Sequence, residues 1–491
     1  MQYNHSTLLG VVLLALCHAG ETVALEKSAR RFSPLQQTAL ENVDTRRQEI
    51  LQVNKAIWEF AEVGLEEEQS SALLVGKLKE AGFAVETGLA KMPTAFVASY
   101  GSGRPIIGIL AEYDALPTLS QRVVPHREPL EEGAPGHACG HSGLGAGAFG
   151  AALAVKAALE KHRLSGTIRL YGTPAEETAI GKVYLTLDGQ FRDLDLCLHW
   201  HPSSKNRTFP GSSKALVSVK FGFDGVAAHA SGTPHNGRSA LDAVELMNVG
   251  VNYMREHVKE DARFHYVITD GGAAPNVVPS KSTVWYFVRA DSHDDVERYY
   301  SWVHDIAKGA ALMTQTKLSV QIDTDCHELI PNVPLAELLQ RNLEAVGAPT
   351  FTENERAFAR RLQQPLIDQF GTKFPLALDE SIYQLSQVPK RTKGSTDVGD
   401  VSWHVPTCGI NTTCMIAETP GHSWQDVATI ASSIGEKGIV YGAKVLAVTA
   451  LDLFENPEAV RAAQADWNER MKERRYTTLI PKGQTAPVKI R

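Results

Sequence analysis

Apolar and polar positions alternate along the first 200 residues in a way that predicts helices and strands in turn. Apolar side chains recur at helical spacing over residues 35–82 and again over residues 144–161, where alanine is abundant. Short apolar runs of strand length occupy residues 94–99, 106–111, 167–171 and 195–202. Strands separated by helices are typical of an α/β protein with a doubly wound, mostly parallel sheet.

The pattern changes at residue 213. From there, runs of strand and helix character follow in the order β-α-β-β-α-β, at residues 215–223, 240–257, 266–270, 282–290, 294–314 and 317–323. This order is that of a split βαβ, ferredoxin-like unit. We therefore predict an inserted α+β domain at residues 213–325, within a catalytic domain of residues 29–212 and 326–460. Residues 461–491 form a charged, then Pro/Lys-rich tail, and we expect its last ten residues to be disordered.

The N-terminus carries an apolar run at residues 8–17, which is too short to span a bilayer but suits the core of a signal peptide. Cleavage after Ala19 or Ala24 is compatible with the sequence, and the later site would remove residues 1–24. We predict an exported protein, periplasmic or secreted, with no membrane span. The leader MQYNHS lacks lysine and arginine, so a buried N-terminal helix, or a start codon placed too early, in a cytoplasmic protein is the alternative.

Net charge indicates the class of partner, and cysteine spacing indicates whether disulfides are expected. The formal net charge is −7 and no block of lysine and arginine occurs, which argues against nucleic acid and favours small molecules. The six cysteines are scattered from Cys17 to Cys414, so their spacing does not indicate a disulfide framework.

Three metal-capable side chains fall within five residues, in the stretch His137-Ala138-Cys139-Gly140-His141. Alternate residues project to one side of an extended segment, so His137, Cys139 and His141 can converge on one point. Thiolate and imidazole are preferred ligands of Zn²⁺ and related metals. The alternative is a buried cysteine beside two surface histidines, but the flanking glycines favour a metal site.

Further polar side chains follow the predicted strands. Glu112 and Asp114 come directly after residues 106–111, and Glu176 and Glu177 come shortly after residues 167–171. In α/β sheets, catalytic and binding residues gather at the carboxyl ends of the strands. The strand at residues 195–202 ends with His199 and His201, which share a face, so the sequence does not decide which of them binds metal.

Taken in order, eight motifs resemble those of the metallo-aminoacylase and carboxypeptidase family that uses two co-catalytic metals. The resemblance covers roughly residues 40–455, and the motifs are AEYDALP, GHACGH, GTPAEE, LHWHP, GVAAHAS, PNVVPS, GSTDVGDVSW and TPGHSW. They are most similar to the amidohydrolase branch, which includes hippurate, indole-acetyl-amino-acid and p-aminobenzoyl-glutamate hydrolases. The last two motifs look most like those of the p-aminobenzoyl-glutamate hydrolases.

The resemblance implies a role for each matching residue. Cys139 would bridge two divalent ions, Mn²⁺ or Zn²⁺, with His141 and His199 on one ion and Glu177 and His422 on the other. It further implies that Glu176 is the general base, Asp114 a supporting carboxylate and His229 an oxyanion-stabilising histidine. Asn276 and Arg289 would bind the substrate carboxylate.

The implied reaction is metal-dependent hydrolysis of the amide bond of an N-acyl or N-aroyl amino acid, such as p-aminobenzoyl-glutamate. The resemblance also implies a homodimer through the inserted domain, or pairing with a homologous subunit. Two departures are Ser142, where the branch commonly has aspartate, and Glu112, where other branches have a histidine ligand. A dipeptidase or carboxypeptidase, and a non-catalytic binding protein for metal or amino acids, are the alternatives.

Overall fold

The computed structural model describes residues 32–371 and 376–489. The predicted signal peptide, residues 1–24, lies outside the described residues and stays a prediction. The helices of the described residues are α1 (Pro34–Thr45), α2 (Arg47–Phe60), α3 (Glu68–Glu80), α4 (His141–His162), α5 (Gly181–Leu187), α6 (Ala240–Met254), α7 (His293–Thr314), α8 (Val333–Val346), α9 (Glu353–Phe370), α10 (Val398–Ser402), α11 (Trp424–Ile430), α12 (Ser433–Glu455) and α13 (Pro457–Met471).

The first sheet contains seven strands, which are β1 (Ala84–Thr87), β2 (Phe96–Ser102), β3 (Ile106–Ala111), β4 (Gly166–Gly172), β5 (Leu196–Ser203), β6 (Arg207–Phe209) and β11 (Thr407–Thr413). Their order is β1-β2-β4-β3-β5-β11-β6. The four central strands pair in parallel, and the outer strands β1, β2 and β6 pair antiparallel. The sheet is therefore mixed, and the predicted parallel arrangement is found at its centre.

The second sheet contains β7 (Ala215–Asp224), β8 (Arg263–Asp270), β9 (Lys281–Ala290) and β10 (Lys317–Cys326), in the order β10-β7-β9-β8. All its pairs are antiparallel, and α6 and α7 pack against it. Along the chain these elements follow the order β-α-β-β-α-β, as the hydrophobic pattern predicts. Strand β9 alternates between buried and half-buried residues along most of its length, whereas β8 is an edge strand and is almost wholly exposed.

Helix α4 packs closely against the first sheet because small residues make up much of its surface. A Cβ added at Gly147 would come within 2.5 Å of the Trp200 ring on β5. Trp200 donates its indole N–H to the Leu144 carbonyl at 3.0 Å. By length and composition α4 is the one helix among the described residues that is apolar enough to cross a membrane, but 89% of its most apolar window is buried inside the fold. It is therefore packed as a core helix.

The C-terminal tail forms hydrogen bonds with distant parts of the chain as far as it is described, and one of them involves Gln484, among the last ten residues for which we expect disorder. Leu479 donates its backbone N–H to Asp325 at 2.6 Å, and the Tyr476 hydroxyl donates to Asp400 at 2.7 Å. The Gln484 amide donates to the Ile322 carbonyl at 2.7 Å. Composition alone did not show that partners for these groups exist in distant parts of the chain.

Candidate active site

The candidate site lies at the carboxyl ends of the central strands of the first sheet. Glu112 and Asp114 follow β3, and Glu176 and Glu177 lie in a single 3₁₀ turn after β4. Cys139 and His141 lie at the start of α4, where Gly140 has a φ of 81° that favours glycine. His422 precedes α11. Residues from separate stretches of sequence therefore meet at one edge of the sheet.

Three groups of side chains place ligand atoms within 4.8 Å of one another. They are Cys139, His141 and His201; Cys139, Glu177 and His422; and Glu112, His141 and Glu176. Cys139 belongs to the first two groups, so its sulfur lies between a histidine pair on one side and a glutamate and a histidine on the other. Sulfur, imidazole and carboxylate together are a donor set that suits divalent transition metals.

His141 is buried at the centre of these groups. Its Nδ1 lies 2.8 Å from Asp114 Oδ1, while its Nε2 lies 3.4 Å from Glu112 Oε2 and 3.8 Å from Glu176 Oε2. Three buried polar atoms, His141 Nε2, Glu112 Oε2 and Glu177 Oε1, have no hydrogen-bond partner. Since buried polar groups are normally paired, these atoms fit a site for bound cations.

The two histidines of β5 occupy different places on one face of the sheet. His201 Nε2 lies 3.4 Å from Cys139 Sγ, whereas His199 belongs to none of the three ligand groups. The His199 ring lies over Gly409, where an added Cβ would come within 2.5 Å of it. The structure thus differs from the sequence-based assignment of His199 beside His141. The reason is that His201, two residues further along β5, is the histidine that reaches Cys139, while His199 lines the same cavity.

His137, the third member of the Cys/His stretch, is turned away from the ligand groups. Its buried Nε2–H donates to the Ile57 carbonyl at 2.9 Å. Burial lowers the pKa of His137 to about 4, and it lowers the pKa of His201 to about 4 as well. Both imidazoles are therefore neutral near pH 7, and His201 is in the form that binds metals.

Burial changes the pKa values of the two adjacent carboxyl groups, Glu176 and Glu177. Burial and the neighbouring charge of Glu112 raise the pKa of Glu176 to about 7. Burial also raises the pKa of Glu177, with Asp114 and Glu176 adding to the effect. A carboxyl group with a pKa near 7 is suited to taking up and releasing a proton at neutral pH.

A buried lysine, which the sequence analysis did not single out, supports Glu112. Lys182 Nζ lies 2.7 Å from Glu112 Oε1 and 2.6 Å from Asp397 Oδ1, and all three side chains are buried. Burial alone would raise the pKa of Glu112, but Lys182 and His141 lower it to about 2. Glu112 is therefore ionised. The sequence feature that could have pointed to Lys182 is its position directly before the apolar stretch Val183 to Leu185.

Glu67 is a second residue that the sequence analysis missed. Its Oε1 accepts the backbone N–H of Ala175 at 2.8 Å, and its Oε2 accepts the Thr94 hydroxyl at 3.1 Å. Ala175 has a φ of 56° at the start of the turn that carries Glu176, so Glu67 helps to hold that strained turn. Burial and Asp114 raise the pKa of Glu67 to about 8. No signal distinguished it from the other glutamates around it.

The ligand groups open into a cavity of about 340 Å³. Its lining includes Arg289 together with Cys139, Glu176, Glu177, His199, His201 and His422. The Arg289 guanidinium lies 5.4 Å from the centre of the Phe287 ring, and its Nε is buried without a hydrogen-bond partner. The cavity therefore combines a cluster of possible metal ligands with a guanidinium group that forms no ion pair with any residue in the described part of the chain.

His229 and Asn276 lie near the second sheet, apart from this cavity. Both are exposed, and they are joined to each other through the backbone, since Ala230 donates its N–H to the Asn276 carbonyl at 3.1 Å. His229 Nδ1 accepts the backbone N–H groups of Ser231 and Gly232 at 3.2 and 3.1 Å. Neither residue lines the cavity of its own chain.

Known proteins resemble this chain in sequence over most of its length. The profile described as Peptidase family M20/M25/M40 matches residues 108–452. The chain is 37% identical to one of the p-aminobenzoyl-glutamate hydrolase subunits of Escherichia coli (strain K12), over 91% of this chain and 98% of that protein. It is 28% identical to the Xaa-Arg dipeptidase of Mus musculus, over 91% of this chain and 95% of that protein.

Solved structures show the same fold. A Bacillus subtilis protein described as a dinuclear metal binding peptidase from the M20 family superposes with a TM-score of 0.54 at 15% sequence identity, over 84% of this chain and 99% of that one. The profile covers most of the chain, and the Escherichia coli relative matches nearly all of it. The chain therefore belongs to peptidase family M20/M25/M40 and is a hydrolase of that family.

Proposed function

We propose that the protein hydrolyses the amide bond of N-acyl or N-aroyl amino acids, with p-aminobenzoyl-glutamate as the model substrate. The observation that carries the proposal is the position of Glu176 and Glu177 beside Cys139, His141, His201 and His422, at the wall of a cavity that also contains Arg289. The name of the 37% identical relative supports the choice of substrate.

Two divalent ions fit the ligand groups. Cys139, His141 and His201 would hold one ion, and Cys139, Glu177 and His422 would hold the other, with the sulfur shared. When bound, such a pair of ions acidifies a water molecule and polarises the substrate carbonyl. The thiolate and imidazoles favour Zn²⁺, while the carboxylate also suits Mn²⁺.

Glu176 acts as the general base in this proposal. It lies outside the two groups that contain Cys139, so its carboxylate is available to take the proton of water and to deliver it to the leaving nitrogen. Its surroundings are well defined, since Glu67 holds the turn before it and Glu112, tied to Lys182, approaches the same His141 Nε2 as Glu176 does. Arg289 binds the carboxylate of the substrate with two parallel N–H donors.

We propose further that a second protein chain completes the site through the second sheet. His229 and Asn276 are exposed and lie outside the cavity of their own chain, as expected for residues that serve a neighbouring site. Exposed apolar side chains lie on α6 and on the edge strand β8, namely Val249, Tyr253, Val267 and Ile268. Exposed apolar patches of this kind mark association surfaces. A homodimer is proposed, and a paired homologue is the alternative, which the Escherichia coli relative supports because its name makes it one subunit of a hydrolase.

Hydrolysis of p-aminobenzoyl-glutamate by the purified protein tests the reaction. We expect release of glutamate with added Mn²⁺ or Zn²⁺, and none after treatment with a chelator. A panel of dipeptides, including peptides with C-terminal arginine, tests the dipeptidase alternative that the mouse relative suggests. Faster turnover of dipeptides than of any N-acyl amino acid would replace the proposed function with that alternative.

Export is proposed on the apolar run at residues 8–17 and the small residues that follow it. N-terminal sequencing of the protein recovered from the producing cells tests it. We expect the mature chain to begin at Leu25, after Ala24, and an intact Met1 in the soluble cytoplasmic fraction would contradict export.

A further inference from the structure

Arg207, which no motif pointed to, lies in the same cavity as the metal-ligand groups. It is the first residue of β6, the short edge strand of the first sheet. Strand β11 lies between β6 and β5, and the register places Asn411 opposite both Arg207 and His201. Residues that oppose each other on neighbouring strands project to the same face of a sheet. His201, Asn411 and Arg207 therefore form one row that crosses three strands.

This row gives a rough distance between the ligand groups and the guanidinium. Neighbouring strands are about 4.8 Å apart, so the backbone of Arg207 is on the order of 10 Å from that of His201. Asn411 connects the two, because its Oδ1 accepts Arg207 Nε–H at 3.0 Å and its Nδ2 donates to the His201 carbonyl at 3.3 Å. The hydrogen bond to Asn411 therefore holds the guanidinium through Nε, and the edge that carries the two Nη atoms stays free.

The free edge of Arg207 has no counter-ion within residues 32–371 and 376–489. Its two Nη atoms make no hydrogen bond or ion pair with any of the residues that the structure describes. Burial lowers the pKa of Arg207 and that of Arg289, yet guanidinium groups remain charged in proteins. A partly buried cation without a partner is unfavourable, and a bound anion relieves that cost.

The cavity contains other donors without acceptors. Arg289 Nε and the Ser395 hydroxyl are both buried with no hydrogen-bond partner, and both residues line the cavity. Two guanidinium groups and a hydroxyl match a ligand that carries several acceptor oxygens, and planar carboxylates match guanidinium best. A ligand with two carboxylates offers one to each of the two arginines that line the cavity.

We infer that Arg207 forms a second anion subsite and that the substrate is an N-acyl derivative of a dicarboxylic amino acid. Arg289 binds the α-carboxylate, and Arg207 binds the side-chain carboxylate of aspartate or glutamate. The inference rests on the proposed function and makes it more specific. It also sets this chain apart from a dipeptidase for C-terminal arginine, because a cationic side chain at Arg207 would be repelled.

The test compares Arg207→Gln with the wild-type protein on two substrates of the same shape, p-aminobenzoyl-glutamate and p-aminobenzoyl-glutamine. We expect the wild type to prefer the glutamate compound in kcat/KM by about 10- to 100-fold, the range for a hydrogen-bonded charge pair. Arg207→Gln loses that preference, mainly through a higher KM for the glutamate compound. Arg207→Lys, which keeps a charge but not the planar fork, restores part of it.

A matched control removes a nearby cation that does not line the cavity. Lys205→Gln is expected to leave both kcat/KM values unchanged, since Lys205 faces the Tyr383 ring at 5.2 Å. A loss of preference in Lys205→Gln equal to that in Arg207→Gln would assign the effect to general charge and overturn the subsite.

Calorimetric binding of the same two compounds separates this inference from the proposed function. Binding of the glutamate compound that depends on Arg207 supports the subsite even if the wild type hydrolyses neither compound, a result that would reject the proposed function alone. Hydrolysis of both compounds at equal rates, unaffected by Arg207→Gln, would reject the subsite alone. Equal or absent binding of both compounds likewise overturns the subsite.

Discussion

The two sheets present their candidate functional histidines in opposite ways. At the first sheet, His141 is buried among four carboxylates and His201 lies beside the Cys139 sulfur. At the second sheet, His229 is exposed and its ring is hydrogen-bonded only by backbone N–H groups two and three residues away. The first arrangement is complete within one chain, whereas the second has no chemical partner among the residues that the structure describes. The difference separates what a single chain assembles from what a second chain would add.

The two adjacent glutamates provide the strongest test of the first arrangement. Glu176→Gln is expected to lower kcat by about 10²- to 10⁴-fold, the usual contribution of a general base, while both metal ions stay bound. Glu177→Gln, one residue away, is expected to lower the metal content, because Glu177 belongs to the group with Cys139 and His422. Metal analysis by mass spectrometry and steady-state kinetics distinguish the two. An active Glu176→Gln enzyme would remove the base from the mechanism.

His229 tests the second arrangement. His229→Ala is expected to lower kcat by about 10²- to 10³-fold, as loss of an oxyanion donor does, with the metal content unchanged. Steady-state kinetics and metal analysis measure both quantities, and an unchanged kcat would remove His229 from the mechanism.

Mixing variants then shows whose site His229 serves. In a symmetric dimer that shares residues across its interface, His229→Ala and Glu176→Gln chains together form one intact site per mixed dimer. Unfolding and refolding an equal mixture is expected to recover about a quarter of wild-type activity by random pairing. Recovery of none, with dimers confirmed by light scattering, would show that His229 does not act across an interface.

The two histidines of β5 sharpen the description of the buried site. His201→Ala is expected to weaken metal binding by at least about 100-fold, since even an outer partner of a ligand contributes about 10- to 100-fold. His199→Ala is expected to retain both ions, because His199 lies in none of the ligand groups. Titration of each metal-free variant with the metal ion, monitored by calorimetry, measures both affinities. Loss of metal in His199→Ala, with His201→Ala retaining both ions, would identify His199 as the ligand.

The smallest effect on chemistry, and a clear effect on stability, is expected at Lys182. Lys182→Met leaves Glu112 and Asp397 buried without their shared cation, which costs about 3–5 kcal/mol of the free energy of unfolding. Lys55→Met breaks an exposed pair with Glu59 and is expected to cost less than about 1 kcal/mol. Denaturant unfolding of both variants gives the comparison. Equal stability of the two would show that Lys182 is dispensable for the buried carboxylates.

Local spacing accounts for the residues that the sequence analysis identified well. Cys139 and His141 are two positions apart at the start of one helix, and Glu176 and Glu177 are adjacent in one turn, so each pair meets whatever the rest of the chain does. The order β-α-β-β-α-β of the second sheet also followed from periodicity, because strand and helix repeats differ. The dimer, the inserted domain's boundaries and export stay predictions.

What the sequence by itself determined was the type of chemistry: a sulfur, imidazoles and carboxylates after strands, in the order of a known hydrolase family. Only the tertiary structure decided which residues share the site. The period of a strand puts His199 and His201 on one face, and the fold brings His201 within 3.4 Å of Cys139. Strand register and packing between segments that are distant in sequence determine the positions of Lys182, Glu67 and Arg207. Such long-range contacts leave no local pattern in a single chain.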